Sequence, residues 1–533
     1  MKKKMFSLLT PLLLISCAGG SVVSEELSSN SSFTSQEMSE ETSSYSSEEE
    51  IESSDVSFDS KSEENLSSEE IKSSDKSEDV ELSEEKISSI LSSSSEVNIV
   101  TKKVIYVSPN GNDNNPGSED SPYLTISKAV SQATKGTTIY LENGVYPCSE
   151  RINLTQSGTE DEPITITAKN VGEKVELNFT NQPYGHNNSS YVGVYLKGNY
   201  WNLIGLTIAH AGDNGIKVEG SHNYIGRCIT HHNGDTGIQL GFGHHDDNPN
   251  GELCSYNIIE NCDSYLNYDF DNHGDADGFA CKMHNGKENY FIGCRAWRNC
   301  DDAWDLYETD WSVYLINCWA WESGNKSDFA NDEFFSDATY LAAKSGVKTI
   351  SKPKDAGNGN GIKLGGNGAG GSSKGTHYVY NCISFGSDIT SSVKGFDENS
   401  HGDGVVMRNC LAWDNGYNYM FENGGKKTTF DSCLSFYTGT TGNSYNKPNR
   451  LVGECGGSGS TLTNNNFKLD DGDLVMNLTI TADDFESIKE SDALAPREED
   501  GRLPNNGFGK LKTTSEAYKK QMGIQFGEFA IIY

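Results

Sequence analysis

Basic side chains are scarce in this sequence: 42 Lys and Arg stand against 77 Asp and Glu in 533 residues, a formal net charge of −35. Such a surface repels polyanions, which sets nucleic acid aside as a partner. Any anionic ligand would need a local cationic device, such as a bound metal. Long apolar runs are also missing, and none after residue 20 is long enough to span a membrane. Long amphipathic helical patterns are absent too, which excludes leucine-rich and ankyrin-type solenoids.

The acidity is unevenly spread. Residues 18–100 hold 29 serines, 22 acidic side chains and 4 lysines, a net −18 in a tract that cannot bury a core. Before it, Lys2, Lys3 and Lys4 precede the apolar stretch 5–15, the pattern of a secretory signal. Its ending, Leu14-Ile15-Ser16-Cys17, resembles a bacterial lipobox, in which Cys17 becomes the lipidated first residue. The expected division is a lipoprotein signal over 1–17, a disordered acidic linker over 18–102 and one folded domain over 103–533. As a flexible tether the linker has an r.m.s. span of roughly 50 Å. It would hold the domain outside the cell, at the surface.

The folded part opens with Tyr106-Val107-Ser108, a short helical pattern over 121–133 and a strand pattern over 137–146. From about residue 190 the sequence repeats itself. One phrase places Arg, Asn, Gly or Ser before a cysteine and a short apolar strand, at Cys228, Cys262, Cys294, Cys318, Cys382, Cys410 and Cys433. A second phrase follows, as in Gly237-Ile238-Gln239-Leu240, Ala303-Trp304-Asp305-Leu306 and Gly361-Ile362-Lys363-Leu364. Short strands that cannot bury their apolar side alone must stack on neighbours, and the fitting architecture is a parallel β-helix with an N-terminal cap. Cysteines recurring in one register are a packing ladder, not a disulfide framework. The asparagines before several of them read as an internal amide ladder at a bend. Trp297, Trp321, Phe385, Trp413 and Phe436, three residues beyond their cysteines, read as core. The stretch from about 323 to 356 interrupts one coil as an insertion.

Side chains alternate across a strand. In the second phrase the flanking apolar residues point inward, so the residue between them points out. That outward column reads Gln239, Ala280, Asp305, Lys363, Asp397, with Asp305 and Lys363 on adjacent coils although 58 residues apart. Stacking also gathers Asp277, Asp301, Asp302 and Asp305 into one patch. Four close carboxylates are badly destabilised without a cation, and oxygen ligands lacking His or Cys suit Ca²⁺ better than zinc. A lysine beside such a metal has its pKa depressed and can serve as a neutral base.

These residues resemble the family 9 polysaccharide lyases, pectate lyases on a right-handed parallel β-helix. The resemblance rests on Asp275-Ala-Asp-Gly-Phe-Ala280, Cys294-Arg-Ala-Trp297 with Asp301-Asp-Ala-Trp-Asp-Leu306, Gly361-Ile-Lys-Leu-Gly-Gly366, Asn381-Cys382 and Lys394-Gly-Phe-Asp397. It runs to the Ala495-Pro-Arg497 and Asp500-Gly-Arg-Leu-Pro504 strings. It implies a calcium held at Asp277, Asp301, Asp302 and Asp305, and a catalytic lysine at Lys363. The departures are Ala303 and Ile362, where the family pattern has Gly and Phe, and the insertion; they bear on substrate preference.

The expected reaction is β-elimination on polygalacturonate, with a monomer acting on an acidic polysaccharide and Lys363 taking the C5 proton. Because the base must be neutral, activity should rise toward alkaline pH. Lys282, Arg298, Lys374 and Lys394 are candidate contacts to uronate carboxylates. Two other classes stay open at this point: a glycoside hydrolase using paired aspartates, and a non-catalytic calcium-dependent surface adhesin. Lyases for alginate or glycosaminoglycans are a substrate-level alternative. His231-His232 and His244-His245-Asp246-Asp247 read as loop residues rather than a second metal site. Phe334, Phe335 and Lys344 of the insertion are expected to wall the cleft.

Overall fold

The structure, a computed structural model, describes residues 99–526 other than 100, 171, 186–187, 244–249, 347, 369–370, 373, 388–391, 422–427, 440–450, 453–460 and 468–477. The expected signal with Cys17, the expected tether apart from residues 99, 101 and 102, and the His244–Asp247 string lie outside the described residues.

Three parallel sheets wind around one core as a right-handed β-helix, with 12, 10 and 10 strands among the described residues. Each turn visits a long sheet, then a second sheet, then a third that carries the outward column; this last is called the groove sheet below. One coil runs through Ile258–Glu260, Asp263–Tyr265 and Phe279–Cys281, and the next through Asn289–Ile292, Arg295–Trp297 and Trp304–Asp305. The N-terminal helix Ile126–Ser131, capped by Thr125, buries Ile126, Ala129 and Val130. The expected single strand over 137–146 is broken into Thr137–Leu141 and Gly144–Pro147.

The cysteine ladder is as the sequence implied: all seven thiols are fully buried and unpaired in the central core. Its cause lies one residue earlier. Arg227, Asn261, Gly293, Asn317, Asn381, Asn409 and Ser432 all have φ between +53° and +62°, the left-handed bend that turns each long-sheet strand into the second sheet. Asn and Gly tolerate that conformation best.

Two expectations need correction. Among the described residues the asparagines before the cysteines make one amide-to-amide step, Asn381 Nδ2 to Asn317 Oδ1 at 2.6 Å, and not the continuous internal ladder. They are bend residues whose amides point outward; Asn409 Nδ2 donates to Gln521 O at 2.9 Å and Gly523 O at 3.0 Å. The internal ladders use other residues. Asn233 Nδ2 donates to Asn267 Oδ1 and Asn267 Nδ2 to Asn299 Oδ1, both at 2.9 Å, and Asn223, Asn257 and Asn289 do the same at another corner. Likewise, the aromatic column is buried but not inside the coil. Tyr265, Trp297, Trp321, Phe385, Trp413 and Phe436 stack on the outer face of the second sheet. What buries them is the C-terminal segment, through Ile480, Phe485, Leu503, Phe508 and Leu511.

That segment is clamped by charge. Asp263, buried on the second sheet, accepts from Arg295 at 2.8 and 2.7 Å and from Arg497 at 2.7 Å. Arg295 also donates to Ala493 O and Ala495 O, and Arg497 to Gly293 O and Cys262 O. The Ala495-Pro-Arg497 string is thus a fastening rather than part of the groove.

The insertion folds as three short helices, Lys326–Asn331, Glu333–Ser336 and Ala338–Lys344, capped by Asn325, Asp332 and Asp337. Phe335 and Lys344 do not line a cleft. Phe335 packs with Tyr268, Phe329 and Tyr340, and Lys344 Nζ is buried on the carbonyls of Phe179, Gln182 and His210. His231 and His232 lie beneath it on a strand end and bend, not in a loop: their Nδ1 atoms are 2.8 Å apart, and His232 Nε2 is 3.2 Å from Asp332.

Candidate active site

The groove sheet fixes the outward column by backbone pairing. Successive partners are Tyr195, Lys217, Gln239, Ala280, Asp305, Lys363, Asp397 and Met420. Ile238, Leu240, Trp304, Leu306, Ile362 and Leu364 face the core and are fully buried. The register read from the sequence is therefore the register of the fold, and the 323–356 insertion leaves the Asp305–Lys363 pairing intact.

At the corner before this sheet, Asp277, Asp301 and Asp302 each bring a carboxylate oxygen within 4.8 Å of the others. Each carboxylate is aimed by backbone. Asp277 Oδ1 accepts from Asp302 N at 3.1 Å. Asp301 Oδ1 accepts from Asn358 N at 2.6 Å, and Asp302 Oδ1 from Asn360 N at 2.9 Å. The chain returning from the insertion thus supplies the donors that orient two aspartates. Gly357 lets it approach: a Cβ there would sit 2.1 Å from His273 O and 2.5 Å from Asp301 Oδ1. Asp305, on the strand itself, accepts from Tyr307 N at 3.1 Å.

Two lysines share this patch. Lys363 Nζ lies 3.1 Å from Asp302 Oδ2 and 3.2 Å from Asp305 Oδ1, on the groove side. Lys282 Nζ lies 2.6 Å from Asp277 Oδ2 and 3.4 Å from Asp305 Oδ2. Burial opposes the charge on Lys363, but Asp305, Asp302, Asp301 and Asp277 outweigh it and hold its pKa well above the ordinary lysine value. For Lys282, burial is likewise overcome by Asp277 and Asp305. Burial, then repulsion from Asp302, pushes the Asp301 carboxyl up to about 8.

The donor set fits a hard divalent cation. All the candidate ligand atoms are carboxylate oxygens, and Asp301 Oδ2 is buried without a hydrogen-bond partner among the described residues. Burial and mutual repulsion raise the Asp301, Asp277 and Asp302 carboxyls, and only with a cation bound would all four ionise; against two ammonium groups they would then leave the two negative charges a divalent ion neutralises.

The other sequence candidates fall apart spatially. Lys394 lies one strand beyond Lys363, its Nζ 3.2 Å from Asp397. Arg298 sits on the bend after the second sheet, held by Glu322 at 2.9 Å and Glu490 at 2.7 Å, so it ties the C-terminal segment rather than facing the groove. Lys374 is exposed. Sequence reasoning missed Lys282 as a structural partner of the aspartates, and it missed the return segment 357–360. The second had a signal, the alternating glycines of Gly357-Asn-Gly-Asn-Gly361, whose bare backbone closes on Asp301.

Residues 105–428 match the family described as Pel9A-like, right handed beta helix region. Pectate lyase L of Dickeya chrysanthemi is 32% identical over 440 residues, 80% of this chain and 87% of the relative. Pectate lyase L of Paenibacillus polymyxa (strain SC2) is 34% identical over 425 residues, 77% and 82% of the two chains. The solved structure of pectate lyase Pel9A has 31% identity and a TM-score of 0.60, covering 79% of this chain and 92% of that one. By this family match, these identities and the shared fold, the chain belongs to the family 9 pectate lyases, polysaccharide lyases built on a right-handed parallel β-helix.

Proposed function

We propose that the protein cleaves α-1,4-linked polygalacturonate by calcium-dependent β-elimination, with Lys363 as the base and Asp277, Asp301, Asp302 and Asp305 around the cation. The observation that carries this reading is the position of Lys363: its amine stands on the groove face within 3.2 Å of two aspartates of an all-oxygen cluster. When bound, calcium supplies positive charge to the uronate carboxylate and relieves the carboxylate field that keeps Lys363 protonated. Lys363 takes the proton from C5, α to the carboxylate. The C5–H electron pair becomes the C4–C5 double bond as the C4–O4 bond breaks; that pair goes to O4, which takes a proton from solvent, and the O4-linked sugar leaves a 4,5-unsaturated galacturonosyl end behind it. Asp302 and Asp305 hold the amine in place, and their backbone donors hold them. Lys282 bridges Asp277 and Asp305 and offsets part of their mutual repulsion.

The test is a product assay on polygalacturonate followed by ultraviolet absorbance. Absorbing, unsaturated product is expected with added calcium, and little is expected after chelation. Saturated reducing ends without metal dependence would instead mark a hydrolase. Calcium-dependent binding without cleavage would mark an adhesin.

For the whole chain we propose export as a lipoprotein: signal 1–17 with lipidated Cys17, tether 18–102, and a monomeric lyase domain 103–533 working outside the cell. A Cys17→Ser variant is expected to leave the membrane fraction while keeping lyase activity. Unchanged membrane retention would refute the anchor.

A further inference from the structure

Five lysines flank the groove sheet along its length, and four have a carboxylate partner. Lys197 pairs with Glu219 at 3.1 Å, Lys282 with Asp277, Lys363 with Asp302 and Asp305, and Lys394 with Asp397. The fifth, Lys217, is different. It is the outward residue of strand Ile216–Val218, half-buried, between Tyr195 and Gln239 on the neighbouring strands. Among the described residues no carboxylate lies within 4.0 Å of its amine, and it makes no hydrogen bond.

The nearby acids are engaged elsewhere. Glu219 holds Lys197 and Tyr195, and Asp213 hydrogen-bonds Asp235. A partly desolvated ammonium without a direct partner costs stability, so a position where only the longer-range attraction of Asp235, Glu219 and Asp213 offsets burial is a candidate for binding. Its neighbour adds to this. Gln239 Oε1 accepts from Asn214 Nδ2 at 2.9 Å, which commits the carbonyl end and leaves the Nε2 donor without a partner among the described residues. Two adjacent outward positions thus offer donors only, and the ligand that matches is an acceptor-only group such as a carboxylate. Next along the column stands Ala280, which is fully buried and offers no polar side-chain atom between this pair and Asp305.

We propose that Lys217, with Gln239 beside it, is a distal subsite that binds a uronate carboxylate of the same polysaccharide chain being cleaved at Lys363. The proposal rests on the lyase reading above. Four strand steps separate Lys217 from Lys363, about 19 Å at the usual spacing of neighbouring strands. That is a span of several sugar rings, so only a long substrate reaches both positions.

The experiment compares Lys217→Met with wild type on polygalacturonate and on trigalacturonate, with calcium present. The expected result is a KM about tenfold higher on the polymer, the size of one lost charge-assisted hydrogen bond, with kcat held. On the trimer, kcat/KM should change less than twofold. Lys217→Arg, which keeps the charge, should recover most of the polymer affinity. Equal losses on both substrates, or no loss on the polymer, would overturn the subsite while leaving the lyase reading standing. A wild type that releases no unsaturated product from either substrate would overturn both. Because Lys217 has no direct partner among the described residues, only the longer-range attraction of Asp235, Glu219 and Asp213, the Met variant should melt close to wild type. A lower melting temperature with parallel loss on both substrates would count against the subsite.

Discussion

Lys363→Ala is expected to lower turnover on polygalacturonate by about 10²–10⁴-fold, the usual contribution of a positioned general base. The measurement is the rate of ultraviolet-absorbing product at saturating calcium. Lys363→Arg should be nearly as inactive, because a guanidinium does not give up its proton in this pH range. The fold should survive in both. Removing the amine takes one positive charge from a patch of four carboxylates, so the Ala variant should lose thermal stability under chelation and recover it with calcium. That recovery separates lost chemistry from a collapsed site. Near-normal product formation by Lys363→Ala would remove the lysine from the mechanism.

Asp263→Ala should be the most damaging substitution away from the groove. It strands two guanidinium groups that now share one buried carboxylate, and breaking a buried pair in this way costs about 3–5 kcal/mol. The loss should be read as a fall in melting temperature. It should come with a red shift of tryptophan fluorescence, because Trp297, Trp321 and Trp413 lie under the segment that Arg497 fastens. Acid should act in the same direction. Burial alone would raise the Asp263 pKa, but Arg497 and Arg295 outweigh it and hold it below the ordinary carboxylate value. The group therefore contributes stability that is present above the unfolded carboxylate pKa and lost as pH falls through the folded one. The gap in melting temperature between wild type and Asp263→Ala should hold from pH 6 to about pH 4 and narrow as the pH falls further. A gap that stays constant below about pH 4 would show that the carboxylate charge is not what holds the clamp.

The groove was legible in the sequence because period-two alternation within a strand and one-to-one stacking between coils are strict rules. Knowing that Ile362 and Leu364 face in is enough to face Lys363 out and to set it beside Asp305. The same rules say nothing about what lies outside the coils. Trp321 and Trp413 alternate correctly as outward residues, yet they are buried because a segment more than 60 residues further on folds back over them. The asparagine ladders were misplaced for a related reason. Asn381 serves the left-handed bend and Asn267 the interior amide stack, and the residue type alone does not separate these two uses. The insertion had no periodicity to read, and its part in aiming Asp301 and Asp302 depends on the backbone of residues 358 and 360 rather than on any side chain.

The outward column has a consequence for how such a protein can change. Each coil adds one residue to the groove, and the cation cluster with Lys363 draws on only three consecutive coils. If Lys363 is the base and Lys217 a subsite, as proposed above, binding specificity and catalysis are written in separate, successive segments of the chain. A duplicated coil placed before Asp277 would lengthen the track for polymer without touching the chemistry. A single substitution in the column would edit one position along the track and leave its neighbours in place. Substrate length and substrate decoration are thus heritable as nearly independent characters, a modularity that a site assembled from loops of a globular enzyme does not have.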